Sequence, residues 1–240
     1  MRPQQLQARE FIEELEQYDQ AVIETPNIST FCSGSDWILS AHEELHHPSS
    51  LSIWKNQTNW LTLAKRGLSP FQQGLQPLEM VWAFGCPLVG SNPSDSVSLL
   101  LKVLDEPSLD WEVLVLAGVP QDSSLWYEIS RQISHIYPME VYQGGDCMQS
   151  DLSQGEEAFL ARRSSKFRTS LRRNLRRAEA ERVTFELIDS FEDGDQLFQR
   201  MMDVERKSWK FESGNSIFQI DRYFRFYKRL LHRLAANKRL

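Results

Sequence analysis

The sequence contains few cysteines, no long apolar run and no internal repeat. Its three cysteines are widely spaced and form no CxxC pair, so neither a disulfide framework nor a thiolate zinc site is indicated. No apolar run approaches the roughly 20 residues that cross a bilayer, and the N-terminus lacks the apolar core of a secretory signal. These absences predict a protein of the reducing cytoplasm without a membrane span.

The net charge of -6 conceals an asymmetry along the 240 residues. Residues 1–150 contain 7 Lys/Arg and 19 Asp/Glu, a net charge of -12. Residues 151–240 contain 20 Lys/Arg and 14 Asp/Glu, a net charge of +6. Such a split predicts two functional units, of which the basic one would attract an anionic ligand.

The spacing of apolar residues predicts alternating helices and strands in residues 1–150. Helices are predicted at 4–24, 35–45, 96–104 and 125–136. Strands are predicted at 51–54, 59–67, 78–84, 112–118 and 139–143, with the first two forming a hairpin. This alternation predicts an α/β fold in which helices pack on a sheet.

The polar, glycine-bearing segment 144–155 marks a predicted domain boundary, which gives a first domain at 1–150 and a second at 151–240. The second domain is predicted to contain a helix at 156–181, a strand at 183–188, and helices at 191–210 and 219–236. The helix at 191–210 has a predicted apolar face formed by Leu197, Met201, Val204 and Trp209. The helix at 219–236 has a predicted apolar face formed by Tyr223, Phe226, Tyr227, Leu230, Leu231 and Leu234.

A single strand cannot form a sheet, because its backbone groups need ladder partners. The strand at 183–188 must therefore join the first sheet or pair with residues beyond Leu240. In the second case we expect the apolar helix faces to remain exposed, the second domain to be marginally folded, and the 240 residues alone to be inactive.

The segment His42-Glu43-Glu44-Leu45-His46 matches the HExxH motif. On a helix this spacing places two imidazoles on one face, with Glu43 as a general base for zinc-bound water. Zinc would need a third protein ligand, and none presents itself, while Pro48 is expected to end the helix. We therefore predict that the chain binds no metal and that this segment is a solvated helix end.

Residues 159–182 contain nine Lys/Arg and two Glu. An apolar stripe of Phe167, Leu171, Leu175 and Ala178 lies opposite a face rich in arginine. The arginines named as candidates for substrate or anion binding are Arg172, Arg173, Arg176 and Arg177. Two interpretations stay open, namely pairing with the acidic residues 1–150 and binding of a phosphate-bearing ligand or RNA, which suits the planar guanidinium.

The segment Asp203–Asn215 contains a second candidate pair, Trp209 and Lys210, followed by a glycine loop. These two side chains would wall a substrate pocket in one interpretation. In the other, Trp209 is buried and anchors the end of a helix.

Residues 156–240 resemble the CelD-like, FemAB-like branch of the GNAT acetyltransferases. The resemblance rests on the order of three segments, KFRTSLRRNLRRAEAERVTFEL, MMDVERKSWKFESGNSIF and RYFRFYKRLLHRLAANKRL, and on STFCSGSDWI near the N-terminus, which is similar to the Phe-x-Ser-x-x-Trp opening of that family. It implies two GNAT-like lobes, each a mixed sheet flanked by helices, of which the first is often degenerate and the second holds the donor.

The resemblance implies transfer of an acyl group, in the first instance acetyl, from acyl-CoA to an amine or hydroxyl of a small-molecule, glycan or peptide acceptor. Donor pyrophosphate would be held by backbone N–H groups at a helix N-terminus beside a splayed strand pair. We expect that site beyond Leu240, so no catalytic residue is carried over. Three alternatives stay open: a Fem-type transferase that uses charged tRNA, a non-catalytic nucleic-acid or anion-binding module, and a zinc hydrolase.

Overall fold

A computed structural model describes residues 2–45, 50–69, 72–145, 148, 150–185 and 193–239. They divide into two compact units, one of residues 1–140 with 190–240 and the other of residues 141–189. This division does not follow the sequence boundary near residue 150, because residues from 193 onward pack in the same unit as residues 1–140. The assignment of two lobes at 1–150 and 151–240 stays a prediction.

The first unit contains a mixed sheet. Its strands are β1 (Gln4–Leu6), β2 (Ser50–Asn56), β3 (Asn59–Ser69), β4 (Gln72–Pro77), β5 (Leu88–Val89) and β6 (Val113–Leu114). The order is β1-β2-β3-β4-β6, with β5 paired to β3; the pairs are antiparallel except for the parallel pair β4–β6. The predicted hairpin is confirmed, because β2 and β3 pair from Ser50↔Lys65 to Asn56↔Asn59.

Helices cover both faces of this sheet. The helices of the first unit are α1 (Ala8–Glu13), α2 (Leu15–Glu24), α3 (Thr30–Ser33), α4 (Ser35–Leu45), α5 (Pro93–Leu104), α6 (Ser124–Ile133), α9 (Gly194–Glu205), α10 (Trp209–Glu212) and α11 (Asp221–Ala236), with a 3₁₀ turn at Ile217–Gln219. Side chains alternate across the strands. Leu61 and Leu63 pack with α5 and α6, whereas Trp60 and Ala64 join a core formed with α1, α2, α4, α9 and α11. The predicted α/β fold with a sheet flanked by helices is confirmed.

Strands β4 and β5 both pair with β3 and behave as one interrupted strand. Residue 77 pairs with Leu63, and Leu88 pairs with Leu61. Between them residues 78–87 leave the sheet. The predicted strand at 78–84 is therefore wrong. The carboxylate of buried Glu79 accepts hydrogen bonds from the backbone N–H groups of Trp82, at 2.7 Å, and Phe84, at 3.2 Å, and these bonds fold the segment into a loop.

Three further expectations for residues 1–143 need correction. The helix predicted at 4–24 begins only at Ala8, because Gln4–Leu6 pairs with β2, and it is interrupted at Glu14. The strand predicted at 112–118 is reduced to β6, although the N–H groups of Glu112 and Val115 also donate to β4. Residues 139–143 form no strand.

The second unit contains α7 (Gly155–Ala161) and α8 (Ser165–Ala180) where one helix was predicted. The break has a local cause. Ser164 has extended backbone angles, and its hydroxyl accepts from the N–H of Phe167 as the N-cap of α8. Residues 183–185 are not a strand, and residues 186–188 of that prediction lie outside the described part of the chain.

The apolar face predicted for α11 is confirmed, since Phe226, Leu230, Leu231 and Leu234 are buried. The face predicted for α9 is confirmed only in part, because Leu197 and Met201 pack against the core, whereas Val204 is 71% exposed and the buried side chains are Phe198 and Met202. The expectation that both faces stay exposed is wrong, since α11 packs on α4 and on α9.

Candidate functional site

The acidic residues of the HExxH segment are held in ion pairs with α11. Glu44 accepts from Arg225 Nε at 2.9 Å and from Arg229 Nε at 2.6 Å. Glu43 accepts from Arg233 Nη2 at 2.6 Å and pairs with Arg229 Nη1 at 3.0 Å. The side chain of Glu44 is only 9% exposed. The interpretation as a solvated helix end is therefore wrong, and Glu43 is engaged as a structural partner.

The three arginines recur every four residues, so they form one row along α11. The hydrogen bond to Glu44, and then that to Asp221, raises the pKa of Arg225. His42 lies in α4, while His46 and Pro48 lie outside the described residues. Within the described ranges, no group of three His, Cys, Asp or Glu side chains could hold a metal ion. That the chain binds no zinc stays a prediction.

A second polar contact holds the end of α11. Arg239 Nη1 lies 2.6 Å from Asp19 Oδ2 and 3.1 Å from Asp36 Oδ2, and Asn237 Nδ2 donates to Asp36 Oδ1 at 2.6 Å. Asp19 also accepts from the N–H and the hydroxyl of Ser35. Acidic residues of the N-terminal region thus pair with α11 and with Arg239, whereas the predicted pairing concerned the arginines of residues 159–182 and stays a prediction.

An aromatic cluster continues this interface on its apolar side. Trp82, on the loop that interrupts β4 and β5, lies 5.6 Å from Trp37 of α4 and 5.6 Å from Tyr223 of α11, measured between ring centroids. Phe226 is fully buried and lies 5.1 Å from Trp37 and 5.4 Å from Trp82. The excursion at 78–87 therefore carries a large side chain from the sheet to α11.

The backbone that follows β6 packs closely against the loop of residues 78–87. Gly118 lies against Gly85, and a Cβ at Gly118 would fall 2.5 Å from the carbonyl carbon of Gly85. Gly118 also has φ +65°, a conformation that favours glycine. A side chain at residue 118 would therefore displace the backbone of Gly85.

The N-terminus of α5, which follows β5, is occupied by its own cap. The side chain of Asn92 accepts from the N–H groups of Ser94, at 3.0 Å, and Asp95, at 3.4 Å. Asp95 also places a negative charge in the first turn, which the helix dipole already favours there. These groups disfavour a second anion at this helix end.

The four candidate arginines of α8 are exposed. Arg177 Nε donates to Glu181 at 2.7 Å. Within the described ranges, no ion pair or hydrogen bond is formed by the side chains of Arg172, Arg173 or Arg176. Arg172 and Arg173 have no Asp or Glu three or four residues away in the sequence, whereas Arg176 has Glu179 three residues further on.

Trp209 and Lys210 lie on the short helix α10, in the unit that does not contain α8. Trp209 is 69% exposed, so the interpretation of a buried anchor is wrong. Lys210 is also exposed. Their assignment to the wall of a substrate pocket stays a prediction.

The fold is a mixed α/β fold with a sheet flanked by helices, as in GNAT proteins. Residues 165–240, about a third of the chain, match the family model described as acetyltransferase (GNAT) domain. The comparison with curated proteins finds no match, and neither does the comparison with solved structures. Among the described helices, none is long and apolar enough to cross a membrane.

Proposed function

We propose that the chain belongs to the GNAT-type acyltransferases, in the CelD-like, FemAB-like branch. It transfers an acyl group, in the first instance acetyl, from acyl-CoA to an amine or hydroxyl of a small molecule, glycan or peptide. The match of residues 165–240 to the acetyltransferase (GNAT) domain carries this proposal. A role in polysaccharide or cell-envelope biosynthesis and the cytoplasmic location belong to the same proposal.

Two features of the first unit support a structural role for residues 1–140 within this proposal. The backbone of Gly118 lies against that of Gly85, and the N-terminus of α5 is capped by Asn92 with Asp95 beside it. The cap occupies N–H groups that a donor pyrophosphate would need. In this proposal residues 1–140 act as a scaffold on which α9 and α11 pack and do not hold the donor.

The experiment measures binding of acetyl-CoA by calorimetry and release of free CoA in the presence of amine and hydroxyl acceptors. It compares the 240-residue chain with the product of the complete reading frame. We expect acceptor-dependent CoA release by the product of the complete reading frame. The proposal fails if neither protein binds any acyl-CoA and neither releases CoA with any acceptor.

A Fem-type reaction, in which charged tRNA is the donor, is favoured by one observation, the unpaired arginines of α8. Transfer of a radiolabelled aminoacyl group from tRNA to a peptide acceptor, without CoA release, would support this alternative. RNA binding without either transfer would support a non-catalytic anion-binding module.

A further inference from the structure

The basic residues of the second unit fall into two groups by what their side chains contact. Arg162 donates to the backbone carbonyl of Asp151 at 2.6 Å, and Arg163 stacks on the ring of Phe159 at 4.2 Å. Arg168 donates to carbonyl oxygens at the end of α7, including that of Ala161 at 3.4 Å. These arginines cap and close the turn between α7 and α8, so their charge has a structural use.

The second group of basic residues makes no structural contact of this kind among the described residues. Lys166, Arg172, Arg173 and Arg176 are exposed, and within the described ranges none of them pairs with a carboxylate or caps a helix. At 3.6 residues per turn, the three arginines lie within an arc of roughly 100° on α8. Like charges at this spacing destabilise a helix, so their repulsion is uncompensated in the described structure.

We propose that this face of α8 binds the phosphodiester backbone of a nucleic acid, independently of base sequence. Lys166 and Arg176 are ten residues apart, about 15 Å along the helix axis. This is too long for one phosphate but suits a polymer with repeated negative charges. Guanidinium forks match phosphate oxygens in geometry, and each contact releases counterions condensed on the polymer.

A competing partner, an anionic lipid surface, fits this geometry less well. The apolar stripe of α8 includes Phe167, 45% exposed, and Leu175, 47% exposed, on the side of the helix opposite the arginines. If that stripe entered a membrane, the arginines would point to water, about a helix diameter of 10 Å away from the lipid headgroups. Attraction over that distance is largely screened at physiological salt.

The acidic N-terminal region is also a weaker partner than its charge suggests. Its buried or half-buried carboxylates at Asp19, Asp36, Glu43 and Glu44 already pair with arginines of α11 and with Arg239. These four carboxylates are therefore already engaged by other arginines. The proposal does not depend on acyl transfer.

The test measures binding of a fluorescein-labelled single-stranded RNA, and of DNA of equal length, by the full 240-residue chain over a range of salt concentrations. We expect affinity for single-stranded RNA to fall with salt with a log–log slope of about -3, about 0.7 for each of the four cations of this face. RNA and DNA should bind alike. The variant Arg172→Gln, Arg173→Gln, Arg176→Gln should bind at least about tenfold more weakly at low salt, with its slope reduced by about 2.

A matched control removes three exposed positive charges elsewhere, by Arg9→Gln, Lys207→Gln and Lys238→Gln. It should retain the wild-type slope. Replacing the three arginines of α8 with lysine should retain the slope but weaken binding, since lysine lacks the planar fork. Single Gln variants, each lowering the slope by about 0.7, serve if the triple variant loses helical circular dichroism.

Three results would overturn the proposal. Equal loss of binding in the two triple Gln variants would show that only net charge matters. Binding to phosphatidylglycerol vesicles without binding to RNA or DNA would show that lipid is the partner. Displacement of RNA by an equimolar amount of acetyl-CoA would show that the face belongs to the donor site. Acyl transfer is measured separately, so its absence does not bear on these outcomes.

Discussion

Arg233 of α11 donates from Nη2 to Oε1 of Glu43 at 2.6 Å, which joins positions 190 residues apart in the sequence. Together with the contacts of Arg225 and Arg229, this bond fastens α11 to α4. The arginine row gives α11 a fixed register on α4, because each carboxylate meets guanidinium groups one helical turn apart. The buried apolar side of α11 is thereby held against Trp37 and Trp82.

Removing one carboxylate tests this fastening. The variant Glu44→Gln should lower the free energy of unfolding by about 1–2 kcal/mol, because two charge-assisted hydrogen bonds weaken while the arginines remain partly exposed. Urea denaturation at low salt measures the change. The matched control Glu16→Gln, on the exposed face of α2, should change stability by less than about 0.5 kcal/mol. Equal effects in the two variants would contradict the assignment.

The close approach of Gly118 to Gly85 predicts that a side chain at residue 118 lowers the free energy of unfolding. The variant Gly118→Ala should lose at least about 2 kcal/mol, since its Cβ would meet backbone atoms of Gly85 and since φ is positive there. Gly144→Ala is the control, because no atom lies within 4 Å of the added Cβ. Unchanged stability in Gly118→Ala would contradict the close packing of residue 118 on Gly85.

The HExxH segment should not bind zinc. Glu43 would have to leave Arg229 and Arg233 to act as a base for zinc-bound water, which would leave Arg233 without its carboxylate partner, while Arg229 would keep only Glu44. Elemental analysis of protein purified in the absence of chelators should find no stoichiometric zinc. Stoichiometric zinc that is lost in the His42→Ala, His46→Ala double variant would show that this prediction is wrong.

The alkaline stability of the protein should depend on Cys86. Burial raises the pKa of this thiol to about 12, against about 9 when unfolded. Since the folded pKa is the higher one, the native state binds more protons above pH 9, and stability falls as pH rises towards 12. Between pH 8 and pH 10.5 the wild type should lose about 1–2 kcal/mol more than Cys86→Ala, measured by urea denaturation. Parallel pH profiles would contradict the burial of this thiol.

Helices and strands that are specified by neighbouring residues could be predicted from the sequence. The helix at 96–104 and the hairpin at 50–69 follow from apolar spacing and turn residues, and both are present. Strand β4, with the sequence QQGLQP, carries no apolar alternation, and the apolar segment after it was taken for the strand instead. Long-range pairing decided the difference, because Gly74 and Leu75 find partners on β3 and β6.

The candidate site residues show the same difference between roles set by local sequence and roles set by long-range contacts. The candidate arginines of α8 were named from the sequence, because their spacing places them together on one face of a predicted helix. The arginine row of α11 has the same spacing, but its role depends on Glu43 and Glu44, and no local pattern connects residues so distant. Trp82 was placed on a strand, whereas the hydrogen bonds of Glu79 bring it to α11.

Hydrogen exchange separates the two amphipathic helices of the C-terminal region. Helix α11 buries Phe226, Leu230, Leu231 and Leu234, whereas α8 has no buried residue. Opening α11 must expose that apolar surface, so its amides should exchange slowly, together with those of α4 and β3. Amides of α8 need only local fraying and should exchange at least about a hundredfold faster. Mass spectrometry of peptic peptides over minutes to hours resolves this difference.

One variant tests whether the buried apolar side chains cause the slow amide exchange of α11. Phe226→Ala removes a fully buried ring from the contacts with Trp37 and Trp82 and should cost about 3–4 kcal/mol. Exchange in α11 should then approach that in α8, while α8 itself stays unchanged. Phe167→Ala, which truncates a half-exposed ring of α8, is the control and should leave α11 protected. Fast exchange throughout α11 in the wild type would show that this helix is not held on α4 in solution, and the arginine row would then have no structural role.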